Sequence, residues 1–421
     1  MVRIWELPAH SGRPGGLENG AHLRTMCFID EGRRFFVAGD AGVLRVWDAR
    51  TGEPQAAPMT HAVHVRGSAI APDGRVVAIV AQTRDSAGAR ATTVTLRNLA
   101  NWTVVGPSIT GPGDPLAVAF SADGAEIITL ATGKNFSQER DQRFHIERGP
   151  VTFTRWNATT GAVLGRTADS AEGAWFAALS PDGSRAAVAD NLPAPGFRIS
   201  DTTTGQPVAE RVALDAHAWH LEFSPDGKRL AVATAVTPGR GSSGIARVYD
   251  TLTAAPLTAA MSHDAEVVFA GFSADGTRLV TTSYDATARV WDAATGAPLT
   301  GPLRHQWKVV HATFSADGRR LATASGDGTA RMWDVDTGEL LAPPFNDFGR
   351  VFFAWCHPDG SSVVSAGEDG ICRIWKLTTT AEPVATLRKR AALHAAEQFH
   401  PRFGAVPATP AELRTLWTDL R

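Results

Sequence analysis

Cysteine, net charge and long apolar runs are all scarce in this chain of 421 residues. Cys27, Cys356 and Cys372 are too few and too scattered for a disulfide framework or a cysteine metal site. A formal net charge of −2, with no basic stripe, argues against nucleic-acid binding. No apolar stretch approaches the roughly 18 to 20 residues that a membrane span needs, and no signal peptide precedes the rest of the chain. We therefore expect a soluble, cytoplasmic protein that binds neither nucleic acid nor membrane.

Catalytic motifs are missing as well. The chain has no HExxH, no GxSxG, no cluster of cysteine and histidine, and no convincing phosphate loop. Gly239, Gly241 and Gly244 satisfy GxGxxG, but a dinucleotide site needs a helix immediately afterwards. The next residues, IARVYD, are typical of a strand, so we interpret these glycines as a loop. The sequence predicts no enzyme, cofactor or metal, while an active site assembled from distant residues stays an alternative.

Instead, the chain repeats itself. FSADGTRLVTTSYDATARVWDAATGAPL at 272–299 returns almost unchanged as FSADGRRLATASGDGTARMWDVDTGELL at 314–341. Eight glycines of Asp-Gly-like turns mark copies at intervals of 42 to 59 residues. These marker glycines are Gly32, Gly74, Gly124, Gly183, Gly227, Gly276, Gly318 and Gly360. The shorter intervals match the period of about 40 to 45 residues expected for a four-stranded propeller blade.

Each copy reads as four short strands and no helix. The first strand alternates apolar and small residues and closes on an Asp-Gly turn, which is a hairpin pattern. A second strand, a tight turn such as 327–329, and a third strand ending in Trp-Asp follow. A short outer strand comes after Thr-Gly. The predicted fold is an all-β propeller of four-stranded antiparallel blades, with eight blades favoured and seven as the alternative.

The copies resemble WD40 repeats, since Trp-Asp stands at 47–48, 291–292 and 333–334. The resemblance covers about residues 23–387 and implies a buried network of histidine, hydroxyl, aspartate and tryptophan in the complete copies. The residues that match this network are His263, Asp285 and Trp291 in copy six, and His305, Asp327 and Trp333 in copy seven. The hydroxyl of copy seven is Thr323 or Ser325. Copy eight keeps Asp369 and Trp375 but has Asp347 at the histidine position.

Both ends of the chain differ from the repeats. Residues 1–22 read as a partial blade, the remnant of a third and an outer strand, because VRIWEL matches a third strand. The chain is then either a fragment of a longer protein or carries a stray strand at the point of ring closure. Residues 388–421 read as a tail with a helix at about 410–420, since Thr409 and Pro410 form a helix start and Leu413, Leu416, Trp417 and Leu420 recur at helical spacing.

The layout also resembles the carboxyl-terminal repeats of bacterial proteins that join a Ser/Thr kinase to WD repeats. Thr-Gly-x-Pro-Leu outer strands and the Leu-Trp tail carry this likeness. No His-Arg-Asp loop, Asp-Phe-Gly or Val-Ala-Ile-Lys strand is present. The resemblance implies a sensor or regulatory part whose kinase domain would lie outside this sequence.

Copies two to five are expanded between their second and third strands. In a propeller these connections emerge on one face, where recognition residues commonly lie on loops. The longest expansion, predicted as a loop at 131–150, carries Arg140 and Arg143. Drift of surface loops without function is the alternative.

Eight residues before each marker glycine, the entry to the innermost strand carries several aromatic and cationic residues. These are Arg24, Arg66, Trp175, Trp219 and Phe352, and Trp307 lies nearby. Tryptophan and arginine are enriched at binding hot spots. Packing between blades is the alternative, since this parity matches core phenylalanines. We predict a non-catalytic scaffold that binds a protein or peptide on this face, with a small-molecule binder or propeller enzyme that uses the central channel as the competing class.

Overall fold

The structure is a computed structural model that describes most of the repeats and two short segments outside them. The described residues are 17–18, 23–39, 43–55, 57, 59–60, 65–86, 88–138, 144–168, 174–190, 194–235, 243–347, 349–377, 397–400 and 404–407. This part of the chain contains strands, one 3₁₀ turn at Asp30–Gly32, and no α-helix.

Eight four-stranded antiparallel sheets follow one another along the chain as blades one to eight. Among the described residues, the first strand is β1 (Leu17–Glu18). Blade one contains β2 (Leu23–Ile29), β3 (Arg34–Gly39), β4 (Val43–Asp48) and β5 (Met59–Thr60). Blade two contains β6 (Val65–Ile70), β7 (Val76–Arg84), β8 (Arg90–Asn98) and β9 (Ile109–Pro112). Blade three contains β10 (Asp114–Phe120), β11 (Glu126–Gln138), β12 (Phe144–Asn157) and β13 (Val163–Ala168). Blade four contains β14 (Ala174–Leu179), β15 (Arg185–Asp190), β16 (Gly196–Asp201) and β17 (Val212–Ala213).

The second half of the ring has the same order. Blade five contains β18 (Ala218–Phe223), β19 (Arg229–Thr234), β20 (Ile245–Asp250) and β21 (Met261–Ser262). Blade six contains β22 (Val267–Phe272), β23 (Arg278–Ser283), β24 (Thr287–Asp292) and β25 (Leu303–Arg304). Blade seven contains β26 (Val309–Phe314), β27 (Arg320–Ser325), β28 (Thr329–Asp334) and β29 (Phe345–Asn346). Blade eight contains β30 (Val351–Cys356), β31 (Ser362–Gly367) and β32 (Ile371–Lys376).

The ring closes through β1. Leu17 pairs with Cys372 and Glu18 with Ile371, so a segment that precedes blade one supplies the outer strand of blade eight. Blade eight also packs against blade one, where His357 Nε2 donates to the carbonyl oxygen of Gly32 at 2.9 Å. Closure covers an edge that would otherwise stay unpaired. The prediction of eight blades is confirmed, and the seven-bladed alternative is wrong.

Hydrogen bonds within the turns explain why the same turn residues recur in successive blades. Ser273 Oγ donates to Asp275 Oδ1 at 2.6 Å and accepts from the backbone N–H of Arg278 at 3.0 Å. Gly276 follows with φ +69°, a left-handed conformation that favours glycine. At the end of the third strand, Asp292 Oδ1 accepts from the backbone and hydroxyl of Thr295, both at 2.8 Å. Each Ser-x-Asp-Gly and Asp-x-x-Thr-Gly segment is thus a self-bonded turn.

The core lies between neighbouring blades and consists of small and β-branched residues with a few rings. Phe197 is fully buried and meets Tyr249 of the next blade edge to face, with ring centroids 4.9 Å apart. Burying a side chain of that size stabilises by roughly 1.5–3 kcal/mol. Because each blade shares its faces with two others, the ring holds the start of every innermost strand at a fixed position.

One sequence expectation changes, the tail contains an element that was not predicted, and some predictions fall outside the described residues. The predicted loop at 131–150 is mostly a β-hairpin, because β11 and β12 stay paired out to Gln138 and Phe144. The expanded spacing between the second and third strands suggested a loop, yet the backbone pairing resumes after a register shift at Thr132/Lys134 and Phe136 pairs with Ile146. In the tail, β33 (Glu397–His400) and β34 (Gly404–Pro407) form a hairpin that the sequence did not predict. The predicted helix at 410–420, the VRIWEL strand, and the hairpin tip with Arg140 and Arg143 lie outside the described residues.

Candidate functional site

A β-bulge interrupts the innermost strand of every blade at the same position. In blade five, Ala218 pairs with Thr234 and His220 with Ala233, which leaves Trp219 without a partner in the ladder. The same skip falls on Arg24, Arg66, Leu116, Trp175, Trp219, Val268, Val310 and Phe352. These are the eight positions that lie eight residues before the marker glycines. Bulges re-aim side chains, so simple strand parity does not apply to these residues.

Exposure differs around this ring of bulge residues. Trp219 is 39% exposed although its neighbour Ala218 is fully buried. Arg66 is exposed, and its guanidinium donates to Gln82 Oε1 at 2.7 Å. Phe352 is half-buried, while the side chains of Arg24 and Trp175 lie outside the described residues. We call the end of the ring that carries these bulges, together with the turns between second and third strands, the bulge face.

On the bulge face, Trp219 is the first member of a row of rings and cations. Its indole meets the Tyr284 ring of blade six edge to face, with centroids 6.4 Å apart. Lys308 Nζ of blade seven lies 3.9 Å from the centroid of the same tyrosine ring. Burial, with Glu266 nearby, raises the pKa of Tyr284, which keeps its hydroxyl protonated.

The row continues from blade seven to blade eight. Trp307, 42% exposed, precedes Lys308 and lies 5.0 Å from the guanidinium carbon of Arg350. Its indole lies over Gly326, where an added Cβ would come within 2.8 Å of the ring. We name this row the aromatic–cation strip: Trp219, Tyr284, Lys308, Trp307 and Arg350. Cations near aromatic faces gain about 0.5–1 kcal/mol at exposed sites, which favours one arrangement of the strip.

Sequence reasoning singled out Trp219 and Trp307 but missed the other members of the strip. The signal was present in the two near-identical copies. Blade six has Ala265 and Tyr284 where blade seven has Trp307 and Gly326. In both blades the second-strand serine donates to the carbonyl of the first residue of each pair, at 3.2 and 3.0 Å. Each of these two blades therefore has one large aromatic side chain at this place. In blade six it is at the second position of the pair, and in blade seven it is at the first.

The residues predicted to form a buried network are hydrogen-bonded in blades six and seven. In blade six, His263 Nδ1 lies 2.9 Å from Asp285 Oδ2 and its Nε2 lies 2.7 Å from Thr281 Oγ1. Trp291 Nε1 donates to the same threonine hydroxyl at 2.8 Å. The two histidine side chains, His263 and His305, are fully buried, so neither can meet a substrate.

Blade seven repeats these contacts and decides which hydroxyl takes part. Thr323 Oγ1 lies 2.7 Å from His305 Nε2 and accepts from Trp333 Nε1 at 2.9 Å. His305 Nδ1 lies 3.1 Å from Asp327 Oδ2. Burial lowers the pKa of His305, with Asp327 opposing the shift.

The three cysteines are held as protonated thiols. Burial raises the pKa of Cys27 to about 11 and that of Cys356 to about 12, and it raises the pKa of Cys372 further. Thiols held protonated in this way are poor nucleophiles. Within the described ranges, no group of three or more His, Cys, Asp or Glu side chains could hold a metal ion. No helix in that same part of the chain is long and apolar enough to cross a membrane.

Comparison with known proteins agrees with this architecture. The family model described as WD40, WD domain, G-beta repeat, matches residues 256–292, 299–334 and 347–376, which fall on blades six, seven and eight. A search of curated proteins found no match. Among solved structures, the crystal structure of the computationally designed Ika8 protein is similar, with a TM-score of 0.64 and 18% identity over 86% of this chain and 98% of that one. Blades six, seven and eight thus match the WD40 repeat model, and they belong to a closed ring of eight like four-stranded blades.

Proposed function

We propose that the protein is a non-catalytic scaffold that binds a protein or peptide on the bulge face. The observation that carries this proposal is the aromatic–cation strip, in which Trp219 and Trp307 remain 39% and 42% exposed within a rigid ring. Exposed tryptophans beside arginine have the composition of interface hot spots. WD40 propellers commonly mediate protein interaction, which supports the same class of function.

The chemistry of the strip favours one kind of peptide. Lys308 and Arg350 place positive charge beside the rings of Tyr284 and Trp307. A segment that pairs an acidic side chain with an apolar or aromatic one would satisfy both the cations and the rings. Further contacts are proposed for Arg24, Arg66, Trp175 and Phe352 in the ring of bulge residues. Arg140 and Arg143, in the sequence between β11 and β12, stay candidates as well.

A peptide-display selection on the folded propeller, followed by fluorescence anisotropy with the selected peptides, tests the proposal. Trp219→Ala and Trp307→Ala should each weaken binding by about 30-fold, the effect of a hot-spot truncation of about 2 kcal/mol. Arg350→Glu should reject acidic peptides. The double variant Arg140→Glu/Arg143→Glu shows whether the hairpin tip takes part.

The matched control is Leu252→Ala. Leu252 is 58% exposed and follows Asp250 at the end of a third strand, which lies at the opposite end of the ring from the bulge face. Its removal should leave binding unchanged. Selection of no peptide, or of peptides that bind all strip variants as tightly as the parent protein, would count against the proposal.

A further inference from the structure

The inner edges of the blades show a second site, at the other end of the ring. Each innermost strand is an edge strand, and every second backbone N–H points away from its own sheet. Side chains of blades five and seven accept hydrogen bonds from such groups of the next blade. The longer ones are accepted by His220 Nδ1 from the N–H of Ala270 at 3.5 Å and by His311 Nδ1 from that of Ala354 at 3.4 Å. Glu222 Oε1 of blade five accepts from the N–H of Phe272 at 2.8 Å, and Thr313 Oγ1 of blade seven accepts from the N–H of Cys356 at 2.7 Å.

Blade six, which lies between these two blades, has no such acceptor among its described residues. Glu222 and Thr313 each lie five residues before their marker glycine, and the equivalent residue of blade six is Gly271. The backbone group that it would serve is the N–H of Phe314, which has the same position as those of Phe272 and Cys356. Across the described parts of the chain, no side chain accepts a hydrogen bond from Phe314 N. The glycine therefore leaves the N–H of Phe314 without a side-chain acceptor on the inner edge of blade seven.

A cavity of about 310 Å³ lies at this place. Its walls include the rings of Phe269, Phe272 and Phe314 and the carboxyl group of Glu222. Ala274, Ala316 and Pro358, each directly before an Asp-Gly turn, line its outer end. The cavity is thus at the end of the ring opposite the bulge face, and its volume suits a small organic molecule.

Gly271 is needed to keep the cavity open. An added Cβ at this residue would lie 2.8 Å from the Phe269 ring and 3.6 Å from Glu222 Oε2. A side chain here would therefore reach both the ring and the carboxyl group. Glu222 uses Oε1 for Phe272, and Oε2 is the oxygen directed to the space beside Gly271.

We propose that this cavity binds a small, uncharged ligand in which a primary carboxamide is attached to a flat apolar ring. The carbonyl oxygen of the amide accepts from Phe314 N–H, in the place that Glu222 Oε1 and Thr313 Oγ1 occupy on the neighbouring edges. The amide nitrogen donates to Glu222 Oε2. The attached ring packs against the phenylalanines of the wall. This site is separate from the proposed peptide site and does not depend on it.

An anionic ligand fits less well. Burial raises the pKa of Glu222 to about 7, with the Phe272 N–H opposing the shift, which shows how poorly the cavity supports its charge. A ligand carboxylate would add a second acidic group to the same apolar space. A ketone of the same shape would keep the acceptor for Phe314 but would lose the donor for Glu222.

Ligand-observed NMR titration with three probes of equal shape tests these contacts: benzamide, acetophenone and benzoate. For the parent protein we expect millimolar binding of benzamide, about tenfold weaker binding of acetophenone, and still weaker binding of benzoate. Absence of benzamide binding at about 10 mM, or equal binding of all three probes, would overturn the proposal.

Variants then identify the site. Glu222→Gln should bring the affinities for benzamide and acetophenone to within about twofold, since a glutamine amide that bonds Phe272 through its oxygen turns a donor toward the ligand.

Gly271→Thr places the blade-seven residue in blade six and should abolish benzamide binding. Ala119→Thr is the matched control, the same residue type at the same position of blade three, on the opposite side of the ring. Gly271→Thr forces the Phe269 ring to move, so the circular dichroism and melting of this variant are compared with those of the parent protein. If Gly271→Thr misfolds, the assignment is tested by Glu222→Gln alone. Unchanged probe preference in Glu222→Gln would refute the assignment.

Discussion

Blades six and seven differ from blade eight in how they hold the same tryptophan. In all three, a second-strand hydroxyl accepts from the indole N–H, at 2.8 Å from Trp291, 2.9 Å from Trp333 and 2.8 Å from Trp375. In the first two blades a buried histidine bonds to that hydroxyl. In blade eight, Ser365 Oγ donates instead to Asp347 Oδ2 at 2.9 Å.

The carboxylate of Asp347 changes the rest of the blade-eight network. Arg373, only 4% exposed, forms ion pairs with Asp347 and, at 2.6 Å, with Asp369. The turn aspartate that bonds histidine in blades six and seven here bonds arginine. The comparison shows that the constant unit is the tryptophan with its hydroxyl, whereas the group behind the hydroxyl is either a histidine or a charged cluster.

The largest expected effect is in this charged cluster. Asp347→Ala leaves the buried guanidinium of Arg373 with one fewer carboxylate and Ser365 without its acceptor. Removing one partner of a buried ion pair destabilises by roughly 3–5 kcal/mol. Urea unfolding of the parent and the variant gives the difference. A loss below about 1 kcal/mol would mean that the buried cluster of blade eight contributes no more to stability than an exposed ion pair does.

Asp336→Ala is the control for this measurement. Asp336 pairs with Arg278 at 2.9 Å, but its side chain is 62% exposed. Pairs of this kind contribute about 0–1 kcal/mol, since water screens both charges. The contrast between the two aspartates separates burial from ion pairing as the cause.

A smaller effect is expected from the unit that all three blades share. Thr281→Val keeps the shape of the side chain but removes the oxygen that bonds both His263 and Trp291. The unsatisfied buried groups should cost about 1–3 kcal/mol of unfolding free energy. Ser365→Ala removes the corresponding oxygen in blade eight and should cost a similar amount. A change in unfolding free energy close to zero for either variant would show that the hydroxyl does not contribute equally in the two kinds of blade.

Much of the fold could be predicted because its signals are local. Asp-Gly turns and Trp-Asp strand ends recur with the blade, so the number of blades follows from spacing, and the resemblance to WD40 repeats identified the residues of the two complete networks. VRIWEL predicts a partial blade at 1–22, with a stray strand at ring closure as one alternative. The two residues that do pair with blade eight, Leu17 and Glu18, carry no strand pattern of their own and could not be identified in advance. The role of Arg373 was also hidden, since arginine occupies the equivalent positions 289 and 331 in blades six and seven.

The candidate site could be predicted only in part. Spacing identified Trp219, but the bulge that sets its direction depends on pairing with the second strand, which a single strand pattern does not report. Contacts between blades are what make Tyr284, Lys308 and Arg350 part of the candidate site. The open donor of Phe314 depends on the absence of a side chain at Gly271, a difference visible only once neighbouring blades are placed side by side. Any link to a kinase stays a prediction.

The smallest expected effect is the pH dependence of the blade-seven network, in which a histidine bonds the turn aspartate. Burial alone would raise the pKa of Asp327, but hydrogen bonds from His305, Gln306 and Thr329 hold it well below its usual value of 3.8. A carboxyl group of lowered pKa adds stability that is complete above the unfolded-state value and is lost as the pH falls through the folded-state value. Asp327→Asn cannot lose a proton, so its deficit relative to the parent, about 1–3 kcal/mol at neutral pH, should shrink as the pH falls below about 4. Denaturant titrations from pH 7 to pH 2 measure this gap, and a constant gap would show that the carboxylate charge contributes nothing beyond the shape of its hydrogen bonds.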